Sequence, residues 1–403
     1  MKTNTLSKIL LGTLFLTLFI MPLIGNIVRL NNSCIHATDF SIYQQAIYDI
    51  ADGVSLNPYI TIRNVKIFND HFDPVILIAA VFTKIFQYSP ESLLVFEYLW
   101  FFGFLALVWK SSKALPLKTR ITLLFCGLFL KGILSGLQYP IHPTTWSLFP
   151  AALLVLFIYK NSFLGIALSG IAICFFKESF AFSLFTLGLY RLIIKKDKKS
   201  SLLVVISILI LVFNFHFRSV LLGPTIGYGA QILKPYLENP FKALFSLLGV
   251  FEYKAFLKLF FPFLLWGILS LKNSKKEDFK IQSPVVETFA FLLPIFAIQF
   301  IANNFHFQYG AQISAPLFMI FLLSRNSTEI LKSKKVLSFI TIAFITSAMG
   351  SHTKAYRTVF APKNKFCLIG NEKKSEDIQK LKDYLEKNYN GETIIASGSI
   401  PPQ

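Results

Sequence analysis

The sequence predicts an all-α protein, a polytopic bundle of about eleven membrane-spanning helices with its N-terminus inside and its C-terminus outside. Three observations carry that prediction. Hydrophobic residues make up 54% of the 403-residue chain, with 44 Phe and a mean hydropathy of +0.57, too apolar for a chain that stays in water. Apolar runs able to cross about 30 Å of hydrocarbon recur from residue 9 to residue 350. The basic residues gather in short loops between those runs, as the positive-inside rule requires.

The first run covers 9–28 and follows Lys2 and Lys8. At about 20 residues it is longer than the apolar core of a signal peptide, and no small-x-small cleavage site follows, so it reads as a retained first helix. It delivers the chain outward at Arg29, into a first outer loop over 29–90. There Tyr43, Ala46, Ile47 and Ile50 have helical spacing within 40–52, and Gly53 sits where a helix would stop. This segment is too short and too charged to span, so it is expected on the outer membrane surface as an amphipathic helix.

The next apolar stretch, PVILIAAVFTKIF at 74–86, has only 13 residues, short of a span. If it crossed, 110–120, with four basic residues and no acid, would face outward. Placing 74–86 at the outer interface lets 91–109 cross inward and makes 110–120 cytoplasmic. Further spans are expected near 121–137, 144–159, 163–177, 179–194, 201–218, 251–271, 284–302, 310–324 and 336–350. The inner segments then hold 20 of the 40 Lys+Arg but only four acids: Asp197, Glu277, Asp278 and Glu329. Residues 1–350 thus form one transmembrane domain. The segment 351–403 is expected outside as one charged helix (375–388) and one strand (392–398). That is too little for a core of its own and suits a piece of a longer soluble part.

A net charge of +19 invites a nucleic-acid partner, but its dispersal over short loops argues against one. Of the four cysteines, Cys126 and Cys174 sit in apolar runs as small buried hydrophobes. Cys34 and Cys367 both fall outside, where a disulfide and two free thiols fit equally. No Cys or His pair has zinc spacing, and no Gly-rich phosphate loop, GxSxG or HExxH occurs. A soluble nucleotide-sugar site would need a Rossmann-like unit, and none is present.

The uncommon polar groups fall on the outer side, every histidine among them. Asp39 opens the 40–52 helix: it suits an N-cap, and equally a carboxylate held as general base at the membrane surface. His71 and Asp73 frame HFDP, where Asp73 before Pro74 also reads as a cap. Lys177 and Glu178 interrupt an apolar run, either as a turn between two short spans or as a functional charge pair. His142, in QYPIHPTTW, and His306, in NNFHFQYGAQ, read first as solvated loop histidines and second as substrate contacts. Arg218 suits bidentate phosphate binding, against an interfacial snorkelling role. Glu97 and Lys131 fall inside expected spans and are expected to line a cavity.

The order of these segments resembles a known family. A first helix is followed by TDFSIYQQAIYDIADG, HFDP, IHPTTWSLFPAALLVLFIY, FFKESFAFSLFTLGLY and YGAQISAPLFMIFLL. This is similar to a bacterial family of predicted membrane proteins of unknown function. That family is grouped with the type-C glycosyltransferases, such as protein mannosyltransferases and the aminoarabinose transferases of lipid A. The resemblance runs over most of 8–350. It implies an inverting transfer of a sugar from a polyprenyl-phosphate donor to an acceptor hydroxyl on the extracytoplasmic side of the bacterial cytoplasmic membrane. It implies that Asp39, in the first outer loop, is the catalytic base or a metal-associated acid. Lys177–Glu178 matches a Lys-Glu-Asp-like motif in which Ser179 stands for the last acid. His71, Asp73, His142, Lys177, Arg218 and His306 are then substrate-binding candidates, with Glu178 beside Asp39 in the chemistry. A divalent metal fits some members of the clan, and none is assigned here. The expected partners are the lipid-linked donor and membrane lipid. Transport or flipping of a lipid-linked glycan, and a non-catalytic role in envelope assembly, are the alternatives.

Overall fold

The structure is a computed structural model that describes residues 2–31, 37–225, 234–241, 252–273, 283–303, 305, 309–324, 331 and 333–360. Cys34, His306, Cys367 and the expected tail helix and strand lie outside the described residues.

The described chain is mostly helical. Four helices are long and apolar enough to cross a membrane: Gly12–Asn31, Pro90–Ser111, Lys198–Leu222 and Ser283–Ile301. A fifth is added if Leu117–Leu128 and Lys131–Leu137, bent by 50° at a short break, are taken as one span. The apolar helices Ile76–Ile85, Pro143–Tyr159, Phe163–Cys174, Phe180–Ile193 and Tyr309–Leu323 are shorter, at 10–17 residues.

In chain order, α1 is Lys2–Asn31 and α2 is Ala37–Ala51. A two-residue hairpin follows, β1 (Tyr59–Ile60) antiparallel to β2 (Val65–Lys66), with Tyr59 opposite Lys66 and Ile60 opposite Val65. Then come α3 (Ile67–Asp70), α4 (Ile76–Ile85), α5 (Pro90–Ser111), α6 (Leu117–Leu128) and α7 (Lys131–Leu137). Next are α8 (Pro143–Trp146), α9 (Leu148–Tyr159), α10 (Phe163–Cys174) and α11 (Phe180–Ile193). A 3-10 turn leads into α12 (Ser201–Val212), continued by a π-helical segment Phe213–Phe217 and α13 (Arg218–Leu222). The last are α14 (Tyr253–Asn273), α15 (Ser283–Ile301), α16 (Tyr309–Leu323) and α17 (Lys334–Phe360).

Local chemistry sets the helix starts. Pro90 and Pro143 occupy the first turns of α5 and α8, where a missing N–H costs nothing. The Ser162 hydroxyl accepts from Gly165 N at 3.3 Å and caps α10.

Two apolar cores result. The larger joins α5 to α7 and α9 to α12 with α14 to α17 around Phe104, Phe180, Phe291, Phe318 and Phe344. The smaller joins α2, β1, α3, α4 and the first turns of α5 to Ile141, Trp146 and Phe176. Residues 37–86 therefore form a compact layer seated on one end of the bundle.

That layer corrects the expected surface helix. From Asp39 to Ala51 no residue of α2 is exposed, and Phe40, Ile42, Tyr43, Ala46 and Ile47 are buried. The hairpin and α4 cover the face that was assigned to water or lipid headgroups. Two further boundaries shift. The span expected over 121–137 breaks before Lys131, and the last helix runs to Phe360, through residues assigned to the tail. The 10 residues of α4 extend about 15 Å, half a hydrocarbon core, so α4 does not cross unaided.

One backbone contact constrains the bundle. A Cβ on Gly132 in α7 would lie 2.3 Å from Gly310 O and 2.2 Å from Ser314 Oγ in α16. Only glycine lets two helices approach this closely. Gly132→Ala is expected to lower stability by about 1–3 kcal/mol, the cost of overpacking. Gly267→Ala, with nothing within 4 Å of its Cβ, is the matched control. Thermal unfolding in detergent checks the pair; equal melting temperatures would contradict the packing.

Candidate functional site

The site lies where the smaller core meets the bundle, and it is built from segments far apart in sequence. Gln45 on α2 anchors the hairpin. Its Nε2 donates to Tyr59 O at 3.2 Å, and its Oε1 accepts from Thr61 N at 3.2 Å and Thr61 Oγ1 at 3.1 Å. The turn of the hairpin carries Arg63, whose guanidinium lies 3.8 Å from Asp39 Oδ1 and 3.7 Å from Asp70 Oδ2. His71 follows, 3.9 Å from Asp70 Oδ1 through Nε2 and 3.5 Å from Glu178 Oε1 through Nδ1. Lys177 Nζ is 3.9 Å from Glu178 Oε2. A continuous chain of charged and polar side chains thus runs Asp39–Arg63–Asp70–His71–Glu178–Lys177. Val75 N donates to Phe175 O at 3.1 Å and fastens the His71–Val75 loop to the turn that carries Lys177 and Glu178.

Asp73 lies beneath this chain, 1% exposed, and its Oδ2 accepts from Tyr43 OH at 2.8 Å. Burial pushes the Asp73 carboxyl pKa up; Lys177 opposes that shift, Glu178 adds to it and His71 opposes it. Burial also works against the Glu178 carboxylate, but Lys177 and then His71 outweigh it and hold its pKa well below the usual value. Burial, followed by the charge and hydrogen bond of Asp39, pushes the Tyr139 phenol up to about 12.

Several expected residues therefore converge: Asp39, His71, Asp73, Lys177 and Glu178 share one cluster. Neither aspartate is the cap its sequence suggested. Asp39 lies inside the first turn of α2, which starts at Ala37, and its side chain, 19% exposed, faces Arg63. Asp73 is spent on Tyr43, while α4 starts at Ile76.

His142 is not a solvated loop residue. It is 3% exposed, with its ring centroid 5.3 Å from that of Tyr43 and 6.2 Å from that of Tyr309. Its Nδ1 accepts from Thr144 N at 3.2 Å, capping α8. The preceding Ile141 has φ 62°, a strained backbone for a β-branched residue. Glu97, fully buried on α5, accepts from Ile141 N at 3.3 Å and braces that turn.

Arg218 is buried rather than snorkelling, and its Nε and Nη1 have no hydrogen-bond partner among the described residues. Its helix α13 packs beside α3, where Asn69 Nδ2 donates to Leu222 O at 2.9 Å and Pro224 O at 3.0 Å. No hydrogen bond or ion pair among the described residues joins Arg218 to the acidic cluster. Sequence reasoning missed Arg63, Tyr43 and Tyr139 as site residues. Only the spacing of Tyr43 one helical turn from Asp39 hinted at a shared face.

Among the described residues no three His, Cys, Asp or Glu side chains could hold a metal ion. The chemistry on offer is that of carboxylates, a buried ammonium, a guanidinium and phenols: proton acceptance and hydrogen bonding to hydroxyls. Fold and site together define a helical protein with membrane-length apolar helices and a charged site at one end of its bundle. No family model, curated protein or solved structure matches this chain.

Burial, then Lys177 and His71, hold the His142 pKa well below the usual histidine value. The unfolded chain takes up that proton near pH ~6.5 and the folded chain does not, so stability falls as pH drops below about 6.5. Melting temperatures at pH 7.5 and pH 5 are expected to differ more for wild type than for His142→Asn; equal differences would contradict a buried neutral imidazole. Lys177→Met leaves Asp73 and Glu178 without their cation and is expected to cost about 3 kcal/mol, whereas Lys177→Arg retains most of the stability. Thermal unfolding compares the two, and a wild-type melting temperature in Lys177→Met would refute the charge compensation.

Proposed function

We propose that this chain is a membrane glycosyltransferase that moves a sugar from a polyprenyl-phosphate donor to an acceptor hydroxyl. The observation that carries the proposal is the convergence of Asp39, Asp70, His71, Asp73, Lys177 and Glu178, from three separate segments, at one end of an apolar helical bundle. A donor held in lipid fits a chain rich in membrane-length helices and without a nucleotide-binding loop. The topology that goes with this reading is the one expected from the charge bias. About eleven spans leave the site on the extracytoplasmic face of the bacterial cytoplasmic membrane.

Asp39 takes the role of general base: of the clustered carboxylates it is among the more accessible, at the rim beside Tyr139 and Arg63. Glu178 and His71 orient the acceptor or the sugar. Lys177 has the charge to hold the donor phosphate, but Asp73 and Glu178 already balance it. Arg218, with two guanidinium nitrogens that have no partner among the described residues, is the better phosphate partner.

Transfer from polyprenyl-phosphate sugars to a panel of acceptors tests this. Wild type is expected to turn over at least one pair, and Asp39→Asn to lose about 100-fold or more of that rate. Full activity in Asp39→Asn would remove Asp39 from its role. No turnover with any donor, together with movement of a lipid-linked glycan across vesicles, would make the protein a transporter instead.

A further inference from the structure

The buried half of the cluster is incomplete on its own. Asp70 Oδ1, Asp73 Oδ1, Glu178 Oε2 and Lys177 Nζ are all buried and make no hydrogen bond among the described residues. Lys177 is only 7% exposed, its ammonium is 3.9 Å from Glu178 Oε2, and the carboxylates of Asp73 and Asp70 also act on it. Unmatched buried polar atoms are costly, and in a native protein each calls for a partner that the chain itself does not supply.

The inventory of those atoms restricts what the partner is. Three carboxylate oxygens need donors and one ammonium needs an acceptor. A phosphate or carboxylate would satisfy Lys177 alone and would set its own negative charge against three carboxylates. Hydroxyl groups do both tasks, since each donates one hydrogen bond and accepts others. The carboxylates of Asp39, Asp70, Asp73 and Glu178 also outnumber the cations Arg63 and Lys177 around the same space.

We propose that this cluster binds the sugar ring of the donor through its hydroxyls, and that its excess of carboxylates selects uncharged sugars over acidic ones. The inference rests on the glycosyltransferase reading, which it deepens by naming the class of sugar. Lys177 then serves as the acceptor-seeking group within a sugar subsite, and the donor phosphate lies outside the carboxylate cluster.

The test is binding of two lipids to the full chain in detergent micelles, followed by quenching of tryptophan fluorescence. The lipids share one polyprenyl phosphate and one anomeric configuration; one carries a neutral hexose and the other the corresponding hexuronic acid. The hexose lipid is expected to bind about tenfold more tightly or better, because like charges brought together at a binding site are strongly disfavoured. Asp70→Asn is expected to bring the ratio towards one, with Glu178→Gln as the second variant should Asp70→Asn fail to fold. Equal or tighter binding of the hexuronic acid lipid by wild type would overturn the proposal. Transfer of both sugars at equal rates would also overturn it while leaving the transferase reading intact. Discrimination in binding without transfer would support the sugar subsite and remove the transferase reading.

Discussion

The buried ammonium of Lys177 is the charge around which one end of the molecule is organised. Taking an ammonium out of water costs several kcal/mol after relaxation, and only well-placed carboxylates offset it. Glu178 supplies one from the adjacent position, and Asp73 supplies another from about a hundred residues away. Asp73 is held in turn by the Tyr43 hydroxyl from α2, and Val75 N–H to Phe175 O locks the two loops together. The need to neutralise one cation therefore fixes three segments: α2, the His71–Val75 loop and the turn before α11. The layer formed by residues 37–86 is seated where that charge demands it.

A second buried charge cluster shows the same constraint met without remainder. At the other end of α11, Arg191 Nη1 lies 2.6 Å from Glu287 Oε2, and Lys195 Nζ lies 2.6 Å from Glu287 Oε1. Arg191 Nη2 reaches Asp197 Oδ2 at 2.9 Å and Asn161 Oδ1 at 3.0 Å, and Nε reaches Ser200 Oγ at 3.3 Å. Ser283 Oγ adds a hydrogen bond to Glu287. These groups match one another, so the cluster ties α11, the 3-10 turn before α12 and α15 together. By the rise of an α-helix the two clusters are roughly 20 Å apart along α11. The same helix is stapled at one end by satisfied charges and presents unsatisfied ones at the other. That difference, rather than the presence of charge, distinguishes a site from a scaffold.

The bundle was largely legible in the sequence, because a long apolar run has few alternatives to a helix once water is excluded. The expected spans at 91–109, 284–302 and 310–324 meet helices at Pro90–Ser111, Ser283–Ile301 and Tyr309–Leu323 within a few residues. The first outer loop was less legible. The spacing of Tyr43, Ala46, Ile47 and Ile50 gave the helix but not its burial, since periodicity identifies an apolar face and not what covers the other one. Two-residue strands leave no periodic trace, so the hairpin that delivers Arg63 went unseen. His142 was misjudged because a histidine between two prolines reads as loop. Its burial depends on Glu97, 45 positions earlier, bracing Ile141. Asp39, Asp73, Lys177 and Glu178 were found because charges are rare in such a chain; their meeting was a matter of tertiary structure.

The short helices bear on what kind of molecule reaches the site. With 12 and 14 residues, α10 and α11 extend about 18–21 Å from the Arg191 end, against a hydrocarbon thickness of about 30 Å. If the Arg191 end lies at one interface, as the charge bias requires, the Lys177–Glu178 turn stops about 10 Å short of the other. The layer of α2, the hairpin, α3 and α4 packs over that end. On its outer side α4 exposes Ile78, Val81, Ile85 and Phe86, an apolar face suited to acyl chains, while Ile76, Ala79 and Ala80 pack inward. On the proposed topology the carboxylates would lie beneath this layer near the outer interface, where charges interact more strongly than in bulk water. On the proposed reading a substrate carried in lipid would meet such a site from the side without crossing bulk water, whereas a soluble sugar nucleotide would have to shed its hydration and pass the covering layer. The physical case for a lipid-borne donor therefore rests on the shortness of α10 and α11 as much as on the residues between them.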